Sequence, residues 1–563
     1  MSSTVAPSQH LRTDAKGNTV TAHANSDAAA PETPPPGDRL SRANLLLIAV
    51  LLVASFVVIL NETVMSIAIP VLQEDLGVDP SVGQWLTTAF LLTMAVVIPL
   101  TGFLIQRAGA RVLFIAAMSA FTAGTAVAFF APNFQVLLVA RVIQALGTAI
   151  MLPLLMTTVM TVVPEHRRGV MMGNISVVIA VAPALGPTVS GFILDHFGWR
   201  WIFGFVGPIA AVALIVGSVL VKPVGERIKT PIDFLSIPLA VLGFGGLVYG
   251  LAGIGEAAES GAAVPLWIPF TVGAVALAAF LGRQLALQRH DRALLDLRVF
   301  KSGQFSLAMV AMVVAMGTML GTFIVVPYFA QAVLGLDPLT TGLLTLPGGL
   351  LMGLAGPIVG RIYDAAGPRV LTVPGAVIVS LGVWLLTTVD PSSSPWLLLG
   401  ANALLCLGLA ATFTPLMTLA LGSVEPRLYS HGSAVLGTFQ QVAGAAGTAL
   451  FITVMTVVAS GQREAGVANA EAISDGVQRV FLVAGLLSFV LIAVVAFVRK
   501  PAEPDVTIGH GATGADAPGP EVTEAIGTEA TSTEATSTEA TSTTATGTAE
   551  IAPSAEPEVP ERV

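Results

Sequence analysis

The stretch LLLIAVLLVASFVVILNETVMSIAIP, residues 45–70, is long and apolar enough to form a helix that crosses a lipid bilayer. Its one charged residue is Glu62. Apolar runs of similar length recur along the chain, and each is interpreted as a spanning helix of about 20 residues. The sequence therefore predicts an all-α integral membrane protein with fourteen transmembrane helices, near residues 45–70, 82–104, 110–131, 134–162, 169–194, 200–221, 235–254, 266–282, 304–331, 341–359, 370–389, 395–421, 433–459 and 480–498.

The composition agrees with a membrane protein and excludes several other classes. Of the 563 residues, 54% are hydrophobic and 11% are charged, and the mean hydropathy is +0.82. The net charge of −9 comes from residues 501–563, which hold twelve Asp and Glu and one Arg, so the rest of the chain carries +2. Binding of nucleic acid is therefore not expected. The one cysteine, Cys406, excludes intrachain disulfides and Cys-based metal sites, and the seven His show no metal-ligand spacing.

Lysine and arginine collect in alternate connections between the predicted helices. Nineteen lie on the side of the N-terminus, whereas Arg200, Arg463 and Arg479 lie on the other side. Because cytoplasmic loops are rich in Lys and Arg, both termini are expected in the cytoplasm. All six Trp residues fall near the opposite ends of the helices, where aromatic side chains anchor at the membrane interface.

Two ten-residue segments repeat each other at matched places in the topology. GFLIQRAGAR, residues 102–111, ends the second helix, and GRIYDAAGPR, residues 360–369, ends the tenth. Both have Gly at the first and eighth positions and Arg at the tenth, whereas the fifth is Gln106 in one and Asp364 in the other. Such a pair indicates duplicated halves, an arrangement found in secondary transporters.

The two ends of the chain are polar and are expected to be disordered. The C-terminal tail repeats TEATS from Thr528 onward, and neither end has the large apolar side chains that would offset the loss of chain entropy on folding. A regulatory or docking role for the acidic tail is the alternative. The predicted organisation is a disordered cytoplasmic tail (1–42), a six-helix bundle (43–221), two additional helices with cytoplasmic linkers (222–302), a second six-helix bundle (303–499) and a disordered acidic Thr/Glu/Ala-rich cytoplasmic tail (500–563).

Several motifs together resemble the Major Facilitator Superfamily, and within it the fourteen-helix drug:proton antiporter branch. LNETVMSIAIP at 60–70 is similar to the first-helix motif of that branch, and its Asn-Glu form is close to the lincomycin-resistance subgroup of actinobacteria and bacilli. QWLTTAFLLT at 84–93 resembles the opening of the second helix, and RVIQALGTA at 141–149 resembles the fourth-helix motif. The resemblance covers roughly residues 43–499.

The fifth helix carries the most specific match. It resembles the antiporter motif Gly-Pro-x-x-Gly-Gly, with Gly186, Pro187 and Gly191 in register, Ser190 in place of a Gly, and GWRWIF following at 198–203. In the family this segment is associated with exporters that seal the inner half against leak. A Gly-Pro pair also gives a kinked helix with a close packing face.

The resemblance implies a transporter that exports small amphipathic drugs by alternating access, driven by a proton gradient without any cofactor. The expected partners are protons, the drug or metabolite and the lipid bilayer of a bacterial plasma membrane, and the expected state is a monomer. A facilitator, or an exporter of an endogenous metabolite without drug specificity, is the alternative, and a membrane receptor or scaffold is a weaker one. An enzyme is not expected, because the sequence has no nucleotide-binding loop and no catalytic Cys or His arrangement.

Glu62 is the candidate proton-coupling acid. An ionisable group at membrane depth is by default a functional candidate, and removal from water lets a carboxylate gain and lose a proton near neutral pH. Arg141 is the one basic residue deep in an apolar run, and the resemblance assigns the Arg of this motif to proton coupling. Glu62 lies eight residues before Pro70, and Arg141 lies eight after Asn133, so both lie about 12 Å below the same face. The alternatives are a packing role for Glu62, and backbone carbonyls or Gln144 as partners of Arg141.

Further site residues follow from the motifs and from polar positions inside helices. The resemblance implies positioning or gating roles for Gly102, Arg107, Gly109, Arg111, Gly186, Pro187, Gly191, Gly360, Asp364, Gly367 and Arg369. Candidate cavity residues are Asn61, Gln144, Asn174, Tyr328, Asn402, Gln440 and Gln441, with a helix-packing hydrogen bond as the alternative for each. The chain departs from the family at Gln106, where the loop usually has Asp, and at Asn61, where the branch more often has the acid. Helices nine to fourteen contain no deep acid, so dicationic substrates are not expected.

Overall fold

The computed structural model of this chain describes residues 12–13, 19–20, 41–221, 233–259 and 265–499. Two short strands, β1 (Arg12–Thr13) and β2 (Thr19–Val20), form an antiparallel pair, and the other secondary structure in the described residues is helical. Residues 500–563 and most of 1–42 lie outside the described residues, so their predicted disorder stays a prediction.

Fourteen helices in the described residues are long and apolar enough to cross a membrane, which confirms the predicted number and the all-α class. The first six are α1 (Arg42–Leu76), α2 (Trp85–Ala108), α3 (Ala110–Phe129), α4 (Phe134–Val162), α5 (Arg168–Phe197) and α6 (Arg200–Leu220). The last six are α9 (Gly303–Ala332), α10 (Pro338–Ala366), α11 (Arg369–Leu386), α12 (Pro395–Gly422), α13 (Tyr429–Glu464) and α14 (Asn469–Ala496).

The additional pair lies between these two sets of six. Helix α7 consists of Ser236–Ala240, a π-helical turn Val241–Gly245, and Gly246–Glu259, and α8 is Trp267–Leu287. Single turns of helix stand in the connections, at Pro80–Gly83, Glu165–Arg167, Gln288–His290, Leu297–Lys301 and Pro426–Leu428.

Local sequence explains where several helices begin and end. Side-chain oxygens of Ser41, Asn133 and Asp337 accept hydrogen bonds from backbone N–H groups in the first turns of α1, α4 and α10, at 3.2, 3.0 and 2.9 Å. Such N-caps satisfy donors that the helix itself leaves free. At the other end of α1, Gly77 has a φ of 61° and closes the helix in the left-handed conformation that glycine tolerates.

Helix packing in the first half recurs eight helices later. Helix α1 packs against α5 and α6, and its counterpart α9 packs against α13 and α14. In the same way, the contact of α2 with α4 recurs between α10 and α12, and that of α3 with α6 recurs between α11 and α14. Two crossed pairs, α5 with α10 and α2 with α13, join the halves. Helix α7 packs against α8 and α13 and touches α2, so the additional pair borders both halves.

The connections α2–α3, α4–α5, α10–α11 and α12–α13 meet on the side where α1 begins. We call this side the basic face, because Arg107, Arg167, Arg369 and Arg427 lie there, and the other side the opposite face. Outward-pointing side chains between the two faces are apolar, as on α6, where Ile215 and Val219 are 65% and 73% exposed. Such exposed apolar surface is typical of helices that contact lipid.

Candidate functional site

Glu62, the acid at the centre of the candidate site, lies just past the middle of α1. Arg141 attracts its carboxylate electrostatically, but no described residue forms a hydrogen bond or an ion pair within 4.0 Å with it. The neighbouring Asn61 is fully buried, and neither its Oδ1 nor its Nδ2 has a hydrogen-bond partner among the described residues. Buried polar groups without partners cost roughly 1–3 kcal/mol each. Both side chains are therefore poorly explained by packing alone.

Arg141, on α4, is held by its own helix and by α2. It is 1% exposed, its Nη1 donates to Gln144 Oε1 at 3.0 Å, and its Nε donates to the carbonyl of Leu86 on α2 at 3.5 Å. The guanidinium also lies 4.1 Å from the ring centroid of Phe90, a cation–π contact. The alternative partners predicted for Arg141, a backbone carbonyl and Gln144, are thus present. Nη2 takes part in none of these contacts, and Glu62 is the carboxylate that acts on the guanidinium.

A hydrogen-bond chain continues from Arg141 into α3. Gln144 Nε2 donates to Thr125 Oγ1 at 2.8 Å, and Thr125 Oγ1 donates to the carbonyl of Phe121 at 2.7 Å. Gly124 allows this approach, since a Cβ there would lie 2.8 Å from the backbone nitrogen of Gln144. The arginine is therefore bonded to α2 directly and to α3 through Gln144, and its interaction with Glu62 on α1 is electrostatic.

The antiporter-like segment of α5 packs directly beside Glu62. A Cβ on Gly186 would lie 2.5 Å from Thr63 Oγ1, and Ser190 Oγ donates to the carbonyl of Val64 at 3.0 Å. Ser190, which departs from the family pattern, thus links α5 to α1 through a hydrogen bond. Gly191, by contrast, has no atom within 4 Å of where its Cβ would be. The side chain of Pro187 lies outside what the structure describes.

The two repeated turns have the same backbone conformation. Gly109 and Gly367, the eighth residues of the repeats, have φ of 79° and 81°, which residues with a Cβ rarely adopt. After the first turn, Arg111 Nη2 donates to the carbonyl of Ser218 at the end of α6, at 2.9 Å. Both turns therefore require a positive φ at this position, which explains why each repeat has glycine there.

The fifth residue of each repeat bonds to the start of a helix in the other half. Asp364 accepts hydrogen bonds from the backbone N–H groups of Gly169 and Val170, at 2.8 and 3.0 Å, in the first turn of α5. A carboxylate there also interacts favourably with the helix dipole. At the equivalent place in the other half, Gln106 Nε2 donates to the carbonyl of Arg427 at 2.8 Å, just before α13. One contact is charged and the other is neutral.

Glycines let the two halves touch at the basic face. A Cβ on Gly102 would lie 2.8 Å from the carbonyl oxygen of Ser430, and one on Gly360 would clash with the carbonyl oxygen of Gly169. Deeper in the same contact, Gly173 and Gly356 approach each other in the same way. We call the Asp364 and Gln106 contacts, together with these glycine contacts, the basic-face gate, and in this structure they hold the two halves in contact.

His431, in the first turn of α13, joins the neutral side of the gate to the linker between α8 and α9. Its Nε2 donates to Gln106 Oε1 at 3.2 Å, and its Nδ1 accepts from the backbone N–H of Asp296 at 3.4 Å. Burial acts to raise the pKa of Asp296, but hydrogen bonds from Arg298 outweigh it and hold that pKa below its usual value. The linker is therefore tied to the gate through a histidine that is 4% exposed.

An ion pair between Arg283 and Asp233 holds the additional helices together near the basic face. Arg283 Nε and Nη2 each donate a hydrogen bond to the carboxylate of Asp233 at 2.6 Å, so the ion pair is bidentate. The hydrogen bond from Arg283, with smaller ones from Ser236, lowers the pKa of Asp233 to about 2. Buried Gln284 accepts from the N–H of Leu294 at 2.8 Å, which fastens the linker to α8.

A small cavity of about 20 Å³, which we call the central cavity, lies between the two halves and has room for roughly one water molecule. None of its lining residues is charged, and Gln440 offers an amide that bonds to no described residue. Four methionines contribute flexible, polarisable walls that adapt to different shapes. The lining residues are Ser176 and Ile179 from α5, Met316 and Met319 from α9, Met352 from α10, Phe413 and Met417 from α12, and Gln440 from α13.

Comparison with known proteins agrees with this architecture. The family model of the Major Facilitator Superfamily matches residues 51–448. The chain belongs to this superfamily. It is similar to the uncharacterised transporter YcnB of Bacillus subtilis, with 39% identity over 82% of this chain and 96% of that one. It is also similar to the lincomycin resistance protein LmrB of Listeria monocytogenes, with 36% identity over 81% and 96%.

A solved structure shows the same fold. The human organic anion transporter MFSD10 superposes with a TM-score of 0.55 and 16% identity, and the match covers 81% of this chain and 100% of that one. Members of the superfamily are transporters rather than enzymes and generally need no cofactor. In the described part of the chain no group of three or more His, Cys, Asp and Glu is arranged to hold a metal ion.

Of the candidate cavity residues, the structure brings only Gln440 to the central cavity. Gln144 belongs to the Arg141 network, and Asn402 Nδ2 donates to the carbonyl of Thr345 at 3.4 Å, which is a packing contact. Asn174 Nδ2 contacts Met171 Sδ on its own helix at 3.8 Å. Tyr328 is 42% exposed, and Gln441 and Asn61 do not line the cavity.

The sequence interpretation missed Ser176, His431 and Asp296. His431 lies two residues after the start of α13, as Val170 does after the start of α5, and aligning the two halves at their eight-helix offset would have singled it out. Asp296 gave no such signal, because its partners come from α13 and from its own linker.

Proposed function

We propose that this transporter exports small amphipathic compounds, drugs among them, in exchange for protons by alternating access. One observation carries the proposal: the Glu62 carboxylate forms no hydrogen bond or ion pair with a described residue, although Arg141 lies close enough to attract it. The lincomycin-resistance relative supports drugs as the cargo. An exporter of an endogenous metabolite is the alternative, and it shares the same geometry.

Coupling follows from the charge on Glu62. The ionised carboxylate attracts Arg141, which α2 and α3 hold on its other side. A proton from the opposite face neutralises Glu62 and removes that attraction, so α1 relaxes relative to α4. Release of the proton toward the basic face restores it. Because α1 is bonded to α5 at Ser190, this movement is passed to the helix that closes the gate.

The proposal assigns the basic face to the cytoplasm of a bacterial cell, with both termini there, since Lys and Arg collect on that side. The working unit is a monomer in the plasma membrane. Its moving bodies are the bundles over residues 43–221 and 303–499, and the segment 222–302 accompanies them. The gate at the basic face is then closed while substrate leaves the transporter at the opposite face.

Substrate binds in the central cavity once the bundles separate. The described cavity is too small for a drug, so rocking of the bundles must enlarge it. Its apolar methionine walls and the Gln440 amide favour an uncharged or singly charged amphipathic compound that accepts or donates one hydrogen bond.

Everted membrane vesicles from an efflux-deficient host test the coupling. A proton gradient is set and followed with a pH-sensitive dye while lincomycin and other amphipathic drugs are added in turn. Wild type should dissipate the gradient on addition of a substrate, and Glu62→Gln should not. The matched control is Glu74→Gln, an exposed acid on the same helix, which should behave like wild type.

Two results would contradict the proposal. Unchanged proton movement in Glu62→Gln would remove Glu62 from the coupling. Drug movement in wild type without any change in the gradient would indicate a facilitator. If no drug moves protons, and the transporter protects the host against none of the drugs, the results would favour export of an endogenous metabolite.

A further inference from the structure

A larger cavity, of about 590 Å³, lies at the side of the molecule between α2 and α4 of the first half and the additional helices α7 and α8. Its volume falls in the range of small-molecule sites. It shares no lining residue with the central cavity or with the Glu62 site. We call it the lateral cavity, and nothing in the transport mechanism uses it.

The lateral cavity has no charged lining residue and two polar ones, Thr93 and Tyr249. The Thr93 hydroxyl is occupied, since it donates to the carbonyl of Ala89 at 2.7 Å. The Tyr249 hydroxyl bonds to no described residue, and the tyrosine ring stacks on Trp85 at a centroid distance of 6.0 Å. An occupant must therefore be apolar along its length and polar only near Tyr249.

The lateral cavity extends along α7 and is open to hydrocarbon. On α7 its wall runs from Val241 to Tyr249, eight residues or about 12 Å along the axis. Leu146, Leu242 and Val272 line it and are still 40%, 50% and 44% exposed, on helices that are apolar enough to cross a membrane. A slot that is lined by apolar side chains and opens sideways into the bilayer is accessible to the hydrocarbon chains of lipids.

The backbone of α7 creates this slot. The π-helical turn Val241–Gly245 places Gly245 against α2, where a Cβ would lie 3.7 Å from Val96 Cγ2, an ordinary contact with room beyond it. Gly246 instead packs against Gly273 of α8, with its Cβ position 3.0 Å from the Cα of that glycine. π-Helical turns inside α-helices are frequent at functional sites. Helix α8 is thus held close to α7 while the side facing α2 stays open.

We propose that the lateral cavity binds one acyl chain of a membrane phospholipid, with the ester end of the chain near Tyr249 and Trp85. The chain fills the gap between the first half and the additional helices. Because α7 also packs against α13 of the second half, a fluid chain keeps this boundary sealed while the halves move. The inference does not depend on the direction of transport or on proton coupling.

Native mass spectrometry of the purified full chain tests the site, with palmitoyl-oleoyl phosphatidylethanolamine titrated into delipidated protein. Gly245→Leu places a side chain in the slot and should remove one tightly bound lipid, weakening that step tenfold or more. Gly245→Ala adds one methyl group in ordinary contact and should weaken it by less. The matched control is Gly282→Leu on α8, where no atom lies within 4 Å of the Cβ position, and it should bind lipid like wild type.

Several outcomes would overturn the assignment. Equal lipid numbers and affinities in wild type, Gly245→Ala and Gly245→Leu would do so, and so would an equal loss in Gly282→Leu. If Gly245→Leu does not run as a single species on size-exclusion chromatography, the lipid affinity of Gly245→Ala is compared with that of wild type. Equal affinities in these two proteins would then reject the site. An amphipathic dye that binds at this step while the phospholipid does not would assign the cavity to a different occupant.

Discussion

Replacing Asp364 by Asn should open the basic-face gate. The carboxylate accepts two backbone N–H groups at the start of α5, from Gly169 at 2.8 Å and from Val170 at 3.0 Å. Asn keeps the size and one acceptor, but it loses the charge and presents an NH₂ group to the second N–H. The closed gate therefore loses one charged hydrogen bond and the interaction of a charge with a helix N-terminus.

The size of this loss follows from the geometry. A hydrogen bond to a charged group contributes about 1.5–3 kcal/mol, and a charge at an exposed helix end contributes about 0.3–1 kcal/mol. Asp364 is partly exposed, so the lower end of the range applies, about 1.5 kcal/mol. Every 1.4 kcal/mol is about a tenfold change in an equilibrium. The ratio of closed to open gate should thus fall about tenfold.

Labelling of a single cysteine measures the opening. The native Cys406 is replaced by Ser, and Gln440→Cys places a thiol in the central cavity. A membrane-impermeant maleimide added to the basic face should react about tenfold faster in Asp364→Asn than in the parent. Asp195→Asn, the same change at the exposed far end of α5, is the control and should leave the rate unchanged. Equal rates in Asp364→Asn and the parent would refute the reasoning.

Three further predictions follow from the same geometry. Gln106→Asp should weaken the neutral side of the gate, because a carboxylate cannot donate to the carbonyl of Arg427 as the Gln106 amide does, so labelling of the cavity thiol should become faster; an unchanged rate would contradict this. Gly186→Ala should lower thermal stability and transport, because its Cβ position lies 2.5 Å from a hydroxyl oxygen of α1, whereas Gly191→Ala should match wild type in both assays. Asp233→Asn should lower thermal stability at pH 7, because it breaks the bidentate ion pair with Arg283. Since the pKa of Asp233 is lowered to about 2, the difference in thermal stability between wild type and variant should stay constant from pH 7 to 5 and shrink only as the pH falls below about 4. A difference that already shrinks near pH 6 would assign the stabilisation to another group.

Hydropathy predicted the number of helices because each crossing must satisfy its backbone inside an apolar segment. It placed helix ends less well. The last helix begins at Asn469 rather than near residue 480, since Glu471, Asp475 and Gln478 extend it as a polar stretch beyond the apolar core. Similarly, α1 continues past Pro70 to Leu76. Apolar length limits where a helix crosses hydrocarbon, but it does not determine where the helix stops.

Residues at fixed places in a motif could be predicted, and partners across helices could not. The glycines of the repeated turns have the positive φ that only their residue type accommodates readily, and Gly186 makes the close contact expected of its motif. Three of the seven candidate cavity residues, Gln144, Asn174 and Asn402, instead contact other protein groups, and Gln440 alone lines the central cavity, because sequence alone does not give the rotation of one helix against another. For the same reason the link from Gln106 through His431 to Asp296 was not foreseen.

The structure gives α5 a contact with both ends of the proposed mechanism. Ser190 and Gly186 fasten it to α1 beside Glu62, and the N–H groups of Gly169 and Val170 fasten its first turn to Asp364. At 1.5 Å rise per residue, these contacts are about 30 Å apart on one continuous helix. Helix α5 is continuous over this length, so we expect a change of charge at Glu62 to reach the gate through it. Gly186→Ala should accordingly change the labelling rate at the gate as well as proton coupling, whereas Asp364→Asn should change the gate and leave proton binding at Glu62 intact.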